Sequence, residues 1–333
     1  MFLYSAGDVV LALDATNGEM LWRYSHDSEV ATSHKFGIAL HENKVLVPTS
    51  NFHMVALDAR SCEVIWYHAI EMEDYDGYQL RSAPTIAGGQ VIQGMAASFV
   101  PGGGFIVAID LETGTETWRF NTIPRPGEPG GNTWNNMPVE ERQGGSVWNT
   151  GAYDPELDLV YYGVSPTYNT APLLYPLNID GVTNEALYTN ATLAIRPATG
   201  ELVWYYQHVV NDQHDLDWIF ERSIVELDVN GETRKVVVTA GKPALFDALD
   251  AETGQYLFSV DTGFQNLFAA INPETGEKIP NPNIFPDAEE IRTVCPYWQG
   301  GRNWHASSIN NLSLIHISEP TRLLSISYAG FCV

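Results

Sequence analysis

The chain has 333 residues and a formal net charge of −24, from 17 Lys and Arg against 41 Asp and Glu, yet only 17% of its residues are charged. The acidity therefore reflects a shortage of cations, which excludes nucleic acid as a partner, because phosphate binding needs clustered Lys and Arg. No run of eighteen apolar residues exists, so no transmembrane segment is expected, and three cysteines give no metal-ligand spacing.

Along the chain one phrase returns five times, as Leu11–Trp22, Val55–Trp66, Val107–Trp118, Leu193–Trp204 and Asp247–Phe258. The clearest copy reads Val-Ala-Ile-Asp-Leu-Glu-Thr-Gly-Thr-Glu-Thr-Trp. The aromatic always falls eight residues after Asp14, Asp58, Asp110, Arg196 or Asp250, and successive aromatics lie 44, 52, 86 and 54 residues apart. Val-Ala-Ile-Asp reads as a short apolar strand, and the turn that follows closes on a Gly that tolerates positive φ. The aromatic then begins the returning strand. One such hairpin cannot cover its own apolar face, and a period of this size predicts stacked four-stranded blades closed into a ring. The predicted fold is an all-β propeller, here a partial ring of about five to six blades.

Between the copies the chain departs from repetition. Lys44–Pro48 and Gln90–Gly94 read as further blade strands, and 121–145 is a long loop rich in Pro, Gly and Asn. Gly144–Gly163 reads as two strands around an Asp154-Pro155 turn, and 165–190 as a second loop. The stretch 207–222 is polar and carries His208, Asp212, His214, Asp215 and Asp217. Ala270–Glu277 copies the phrase too soon for a new blade and reads as a decorated hairpin, after which Cys295–Trp304 opens the next blade. Long loops on one side of a ring predict a pocket. Residues 1–311 are expected to form the partial propeller. Residues 312–333 resemble the translation of a sequencing adapter, so a non-native tail is expected there, and the propeller part is read as a fragment cut at both ends.

The phrase resembles the tryptophan-docking motif of pyrroloquinoline quinone (PQQ)-dependent alcohol dehydrogenases, which are eight-bladed propellers. Gly144-Gly-Ser-Val-Trp-Asn149, His214-Asp-Leu-Asp217 and Gly300-Gly-Arg-Asn-Trp304 resemble that family's site segments, in the same order. The resemblance covers essentially all of 1–311. It implies PQQ as cofactor, Ca²⁺ or a lanthanide beside it, a small alcohol-type substrate, an electron acceptor such as a cytochrome c, and a periplasmic location. By the same resemblance Trp148 is the aromatic floor under the quinone, where a flat tricycle needs a ring face. Ser146, expected on the same strand and facing the same way, is a hydroxyl contact to the cofactor. Lys242 is the cation beside the reactive carbonyl, and Asn303 and Trp304 are a further contacting pair. Asp215 is the catalytic base. Asp215 and Asp217 together are metal ligands, the second being the carboxylate added in lanthanide-using members.

The chain also departs from the pattern. The family's metal-binding Glu falls on Phe99, its metal-binding Asn has only Ser165 or Asn169 nearby, and its cofactor-binding Arg falls on Phe36 beside Lys35. Two carboxylates provide too few ligands for a firm divalent site. Two readings therefore stand side by side: a divergent quinoprotein dehydrogenase oxidising an alcohol by hydride transfer, and a non-catalytic propeller of the same lineage serving as a binding or outer-membrane assembly scaffold.

Overall fold

The computed structural model describes residues 2–28, 37–286, 290–305, 307–310 and 315–318. Lys35 and Phe36, the expected departure at the cofactor-binding Arg, lie outside the described residues.

The chain folds as a succession of antiparallel meanders. The first sheet has three strands, β1 (Phe2–Ala6), β2 (Val9–Leu13) and β3 (Met20–Ser25). Four four-stranded sheets follow, each in simple sequence order. They comprise β4 (Ala39–His41), β5 (Lys44–Pro48), β6 (His53–Asp58) and β7 (Val64–Ala69); then β8 (Thr85–Ala87), β9 (Gln90–Gly94), β10 (Phe105–Asp110) and β11 (Glu116–Asn121). Next come β12 (Ala152–Asp154), β13 (Leu159–Gly163), β14 (Ala191–Ile195) and β15 (Leu202–Gln207), and then β16 (Ser223–Val229), β17 (Glu232–Ala240), β18 (Leu245–Asp250) and β19 (Tyr256–Asp261). Two hairpins end the described chain: β20 (Phe268–Ile271) with β21 (Lys278–Pro280), and β22 (Ser307–Asn310) with β23 (Ile315–Ser318). The strand β23 falls within the tail expected to be non-native.

The first strands of neighbouring sheets touch, β4 with β8, β8 with β12 and β12 with β16, so they line the inner side of the partial ring. Apolar cores lie between the blades. One joins Leu46, Met54 and Trp66 of one sheet to Val91, Val107 and Ile109 of the next. A second joins Ile92 and Ile106 to Val160, Tyr162 and Leu193. A third joins Tyr161 and Trp204 to Val237 and Leu249.

Each copy of the phrase has the same local physics. The register shifts by one residue after its Ala, at Ala12, Ala56, Ala108, Ala194 and Ala248, a bulge that turns the strand into its hairpin. The Asp then closes the turn: Asp110 Oδ1 accepts from the Glu112 and Thr113 amides and the Thr113 hydroxyl, and Asp250 Oδ1 does the same with Glu252 and Thr253. These donors stabilise the ionised carboxylate. Asp58, which accepts from the Ser61 and Arg60 amides, is held down at about 2. The hairpin at Asn272 closes by the same contacts, from the Glu274 and Thr275 amides.

The aromatic of each copy docks on the next blade. Trp22, Trp66, Trp118 and Trp204 donate their indole N–H to the carbonyls of Ala59, Leu111, Pro197 and Ala251, at 2.8 to 3.2 Å. Every acceptor is the residue after the Asp, or after Arg196, of the following copy. Phe258 has no N–H to donate and is exposed.

Candidate active site

The site is built from the connection between β15 and β16, which the side chain of Asp212 organises from within. Its Oδ1 accepts from the His214 amide (2.8 Å), and its Oδ2 accepts from the Leu216 amide (2.6 Å) and the Asn190 side-chain amide (2.8 Å). Burial raises the Asp212 pKa against these three donors. Asn190 Oδ1 in turn accepts from the Trp218 amide at 3.1 Å. The segment is thereby folded back on itself, and Asp215 at its tip has a left-handed backbone, φ 58°. A non-glycine in this region is uncommon, with Asp among the better tolerated, and such positions cluster where side chains are presented for function.

Trp218 then sets the depth of the site. It is fully buried, stacks on His208 with ring centroids 4.8 Å apart, and lies so close to Gly241 that a Cβ there would meet the indole at 2.4 Å. The close approach brings the next residue, Lys242, up to the carboxylates. Its amide donates to the Asp217 carbonyl (3.0 Å), and its own carbonyl accepts from the Gly301 amide (2.8 Å). The ammonium reaches Asp217 Oδ2 at 2.7 Å and Asp215 Oδ2 at 2.9 Å. The other oxygens, Oδ1 of Asp215 and of Asp217, are buried with no hydrogen-bond partner among the described residues.

Electrostatics follow from this geometry. Burial pushes Asp217 up to about 7, against the lowering effect of the Lys242 ammonium. Burial works to lower the Lys242 pKa, yet the carboxylates of Asp217 and Asp215 outweigh it and leave it raised, so the ammonium stays charged. Tyr168 lies close enough for Asp217 and Asp215 to add to the burial that raises its phenol.

Trp148 is half-buried and meets Phe220 edge-on, at 5.7 Å between centroids. Phe220, three residues past Asp217, is covered on its face by the Arg302 guanidinium at 4.9 Å. Arg302 is anchored to the Ala240 carbonyl (3.0 Å) and to Glu221. Trp148, the two carboxylates and the lysine are thus linked through Phe220, Arg302 and the Lys242–Gly301 bond.

Three expected site residues are placed differently. Ser146 is on no strand: Gly144 and Gly145 have φ of 104° and 58°, which breaks the extended chain before it. Its hydroxyl is fully buried and accepts from the Ala97 amide at 2.9 Å, a bond between blades. The Asn303 amide donates back to the Gln299 carbonyl (2.6 Å), and the exposed Trp304 stacks on His305 at 4.3 Å. Their loop reaches the site through Gly301 rather than through these side chains. Asp212, Tyr168, Phe220 and Arg302 complete the arrangement. Of these, Asp212 stood in the polar run of the sequence and Arg302 within the Gly300–Trp304 segment, whereas Tyr168 and Phe220 were not singled out.

The long loops support the segment from outside. Trp134 donates to the Leu187 carbonyl (2.6 Å) and packs with Ile123, Met137, Leu173 and Ala186 in a small core of their own. Asn211 donates to the Leu173 carbonyl at 2.8 Å, which ties that core to the site segment. Two cavities lie elsewhere, one of about 530 Å³ beside Tyr153, Asp154 and Lys235 and one of about 690 Å³ beside Phe120, Tyr188 and Tyr205. Neither is lined by any of the expected site residues.

The β-propeller domain family of PQQ-dependent glucose, ethanol and alcohol dehydrogenases matches residues 1–264. The chain belongs to this family. It is 33% identical to the quinohemoprotein alcohol dehydrogenase ADH IIB of Pseudomonas putida, over 90% of this chain and 45% of that protein. It is 32% identical to the dehydrogenase subunit of the quinone alcohol dehydrogenase of Komagataeibacter europaeus, over 86% of this chain and 42% of that protein. The solved quinohemoprotein alcohol dehydrogenase ADHIIG from Pseudomonas putida superposes with a TM-score of 0.81 at 29% identity, covering 92% of this chain and 47% of that one. A europium-containing methanol dehydrogenase, at 24% identity and a TM-score of 0.80 over 94% of this chain and 58% of that one, shares the fold. This family member spans less than half the length of the curated relatives it matches. Among its described residues no helix is long and apolar enough to cross a membrane.

Proposed function

We propose that this chain carries the quinone site of a divergent PQQ-dependent dehydrogenase that oxidises a small alcohol, with Asp215 as the base. One observation carries the reading: a carboxylate on strained backbone keeps one oxygen unpaired while a buried ammonium holds the other. That is the arrangement a proton acceptor needs. The donor set fits the quinone, offering a half-buried indole at Trp148, a charged N–H donor at Lys242 and a base paired with that lysine. PQQ, when bound, supplies the hydride acceptor.

The protein's own part can be stated atom by atom. Trp148, braced by the edge of Phe220, offers a face for stacking. Lys242 orients Asp215 through a 2.9 Å ion pair, and its positive charge favours negative charge developing on a nearby oxygen. Asp215 Oδ1 accepts the hydroxyl proton of the alcohol. Phe99 and Tyr168, with ring centroids 4.8 Å apart, place apolar surface beside the carboxylates, which favours a small substrate with an apolar tail. An electron acceptor such as a cytochrome c and a periplasmic location belong to the same proposal; one relative is named 1-butanol dehydrogenase (cytochrome c), from Thauera butanivorans.

The metal implied by the family does not fit the residues present. Among the described residues no group of three or more His, Cys, Asp or Glu is placed to hold an ion, and no step is assigned to one. The burial of the Ser146 hydroxyl in a blade–blade bond favours the scaffold reading. One experiment separates the two: titration of the chain with PQQ, followed by tryptophan quenching and dye-linked oxidation of primary alcohols. Saturable quenching, weakened in Trp148→Ala, supports the dehydrogenase; its absence overturns it.

A further inference from the structure

We infer that the site is closed to a divalent or trivalent ion because the Lys242 ammonium is the resident cation of the Asp215–Asp217 pair. The inference concerns the same site as the proposed function and rests on that reading only for where an ion would sit.

Position comes first. The Nζ lies 2.7 and 2.9 Å from one oxygen of each carboxylate, which is the bridging place between them. The residue is held there by its backbone, bonded through its amide to the Asp217 carbonyl and through its carbonyl to the Gly301 amide. Its stem is packed as well: a Cβ on Gly300 would meet Lys242 Cβ and Cγ at 2.7 Å. The backbone and the near part of the stem are thus held, and the side chain is only 5% exposed.

Ligand supply comes second. Ca²⁺ takes roughly six to eight oxygens, whereas this site has two uncommitted carboxylate oxygens, Oδ1 of Asp215 and of Asp217. The nearest further carboxylate, Asp212, is used up by three hydrogen bonds inside its own segment. The Ser165 hydroxyl accepts from the Ser146 amide at 2.8 Å and is fully buried. Phe99, where the resemblance places the family's Glu, is a phenyl ring that is 69% exposed and set against Tyr168.

Charge comes third. Even with both carboxylates ionised, the pair and the ammonium sum to only −1. An incoming ion would face a positive charge 2.7 and 2.9 Å from an oxygen of each carboxylate, which repels it. A tethered ammonium gives the pair its counter-charge without a loading step.

The test reads ion binding and makes no use of the quinone, so it is independent of whether the chain is a dehydrogenase. The chain is titrated with Tb³⁺, read by tryptophan-sensitised emission, and with Ca²⁺, read by calorimetry. No binding that depends on Asp217 is expected in the wild type. Lys242→Met, which removes the charge and keeps the stem, is expected to create a Tb³⁺ site at least about tenfold tighter than any in the wild type, from loss of one like charge beside the ion. That gain should vanish in Lys242→Met/Asp217→Asn and be absent in Lys242→Arg. Stoichiometric Ca²⁺ or Tb³⁺ binding by the wild type, lost in Asp217→Asn, overturns the inference whatever the fate of the lysine variants. A folded Lys242→Met chain without any gain also overturns it.

Discussion

Trp118 of one blade lies flat against Gly200 of the next, so close that a methyl group on Gly200 would sit 2.6 Å from the indole. The same tryptophan donates its Nε1–H to the Pro197 carbonyl of that turn at 2.8 Å. The repeated phrase is therefore a lock between blades, with the key in one copy and the keyhole in the next.

Gly200→Ala should be costly for two reasons, its φ of 76° and the indole in the way. The expected loss is about 2–5 kcal/mol, from left-handed strain of ~1–2 kcal/mol and overpacking of ~1–3 kcal/mol. Trp118→Phe should cost less per contact but leaves the Pro197 carbonyl without its donor, about 1–3 kcal/mol. Urea unfolding of both variants measures this, and a neutral Gly200→Ala would refute the lock.

The second copy has Cys62 where the others have Gly, at φ 65° and as a free cysteine. Cys62→Gly relieves left-handed strain and is expected to raise stability by roughly 1 kcal/mol, net of the entropy glycine loses on folding. The midpoint in urea should rise with the slope unchanged.

In the fifth copy Asp247 stands where the others have Leu11, Val55, Val107 and Leu193. It is fully buried, accepts from His208 Nδ1 at 2.6 Å, and pairs with the buried Lys278 of the decorated hairpin. Asp247→Leu alone should destabilise by about 3–5 kcal/mol because Lys278 is left buried and unpaired, whereas Asp247→Leu/Lys278→Met should recover most of the loss. Additive losses in the double variant would show that the pair is not coupled.

The same cluster sets a pH dependence. Burial lowers His208 to about 3 from an ordinary value of 6.5, so between those values the unfolded chain holds a proton that the folded chain refuses. Stability from this group is complete above pH 6.5 and falls as the pH drops toward 3, by up to about 1.4 kcal/mol per pH unit. Asp247 acts in the same direction at lower pH: Lys278 and His208 outweigh its burial and hold it at about 2, so its contribution fades as pH falls from 3.8 toward 2. Asp217, raised to about 7, opposes the His208 effect between 3.8 and 6.5. The discriminating measurement is therefore the difference between wild type and His208→Gln: the variant should lose one proton's worth of slope between pH 6.5 and 3.

At the proposed active site, Asp215→Asn should lower turnover by about 10²–10⁴-fold, the usual worth of a general base, while quinone quenching is retained. Loss of quenching together with turnover would assign Asp215 to binding instead. Excess chelator should leave the thermal unfolding midpoint unchanged, since a native-state ion would add its binding energy to stability.

Much of this was legible from the residues alone. Period, bulge, turn and docking tryptophan are all local or recur at a fixed spacing, so five copies of one phrase determine the blades and their order. The pairing of Asp247 was not legible, because its partners lie 39 residues before and 31 after it. The strand expected through Ser146 failed because two glycines with positive φ precede it, and hydrogen bonds to Ala97 and Ser165 replace the ladder.

What the sequence by itself determined is the frame, a series of antiparallel blades locked tryptophan to turn, and the residue types gathered near one site. Only the tertiary structure decided how the charges pair. Asp215, Asp217 and Lys242 carry no spacing signal, because the lysine arrives two strands later, on the β17–β18 turn whose approach depends on Gly241 fitting under Trp218. Ion pairing depends on distances of a few ångströms across the fold, and those are set by packing rather than by position along the chain.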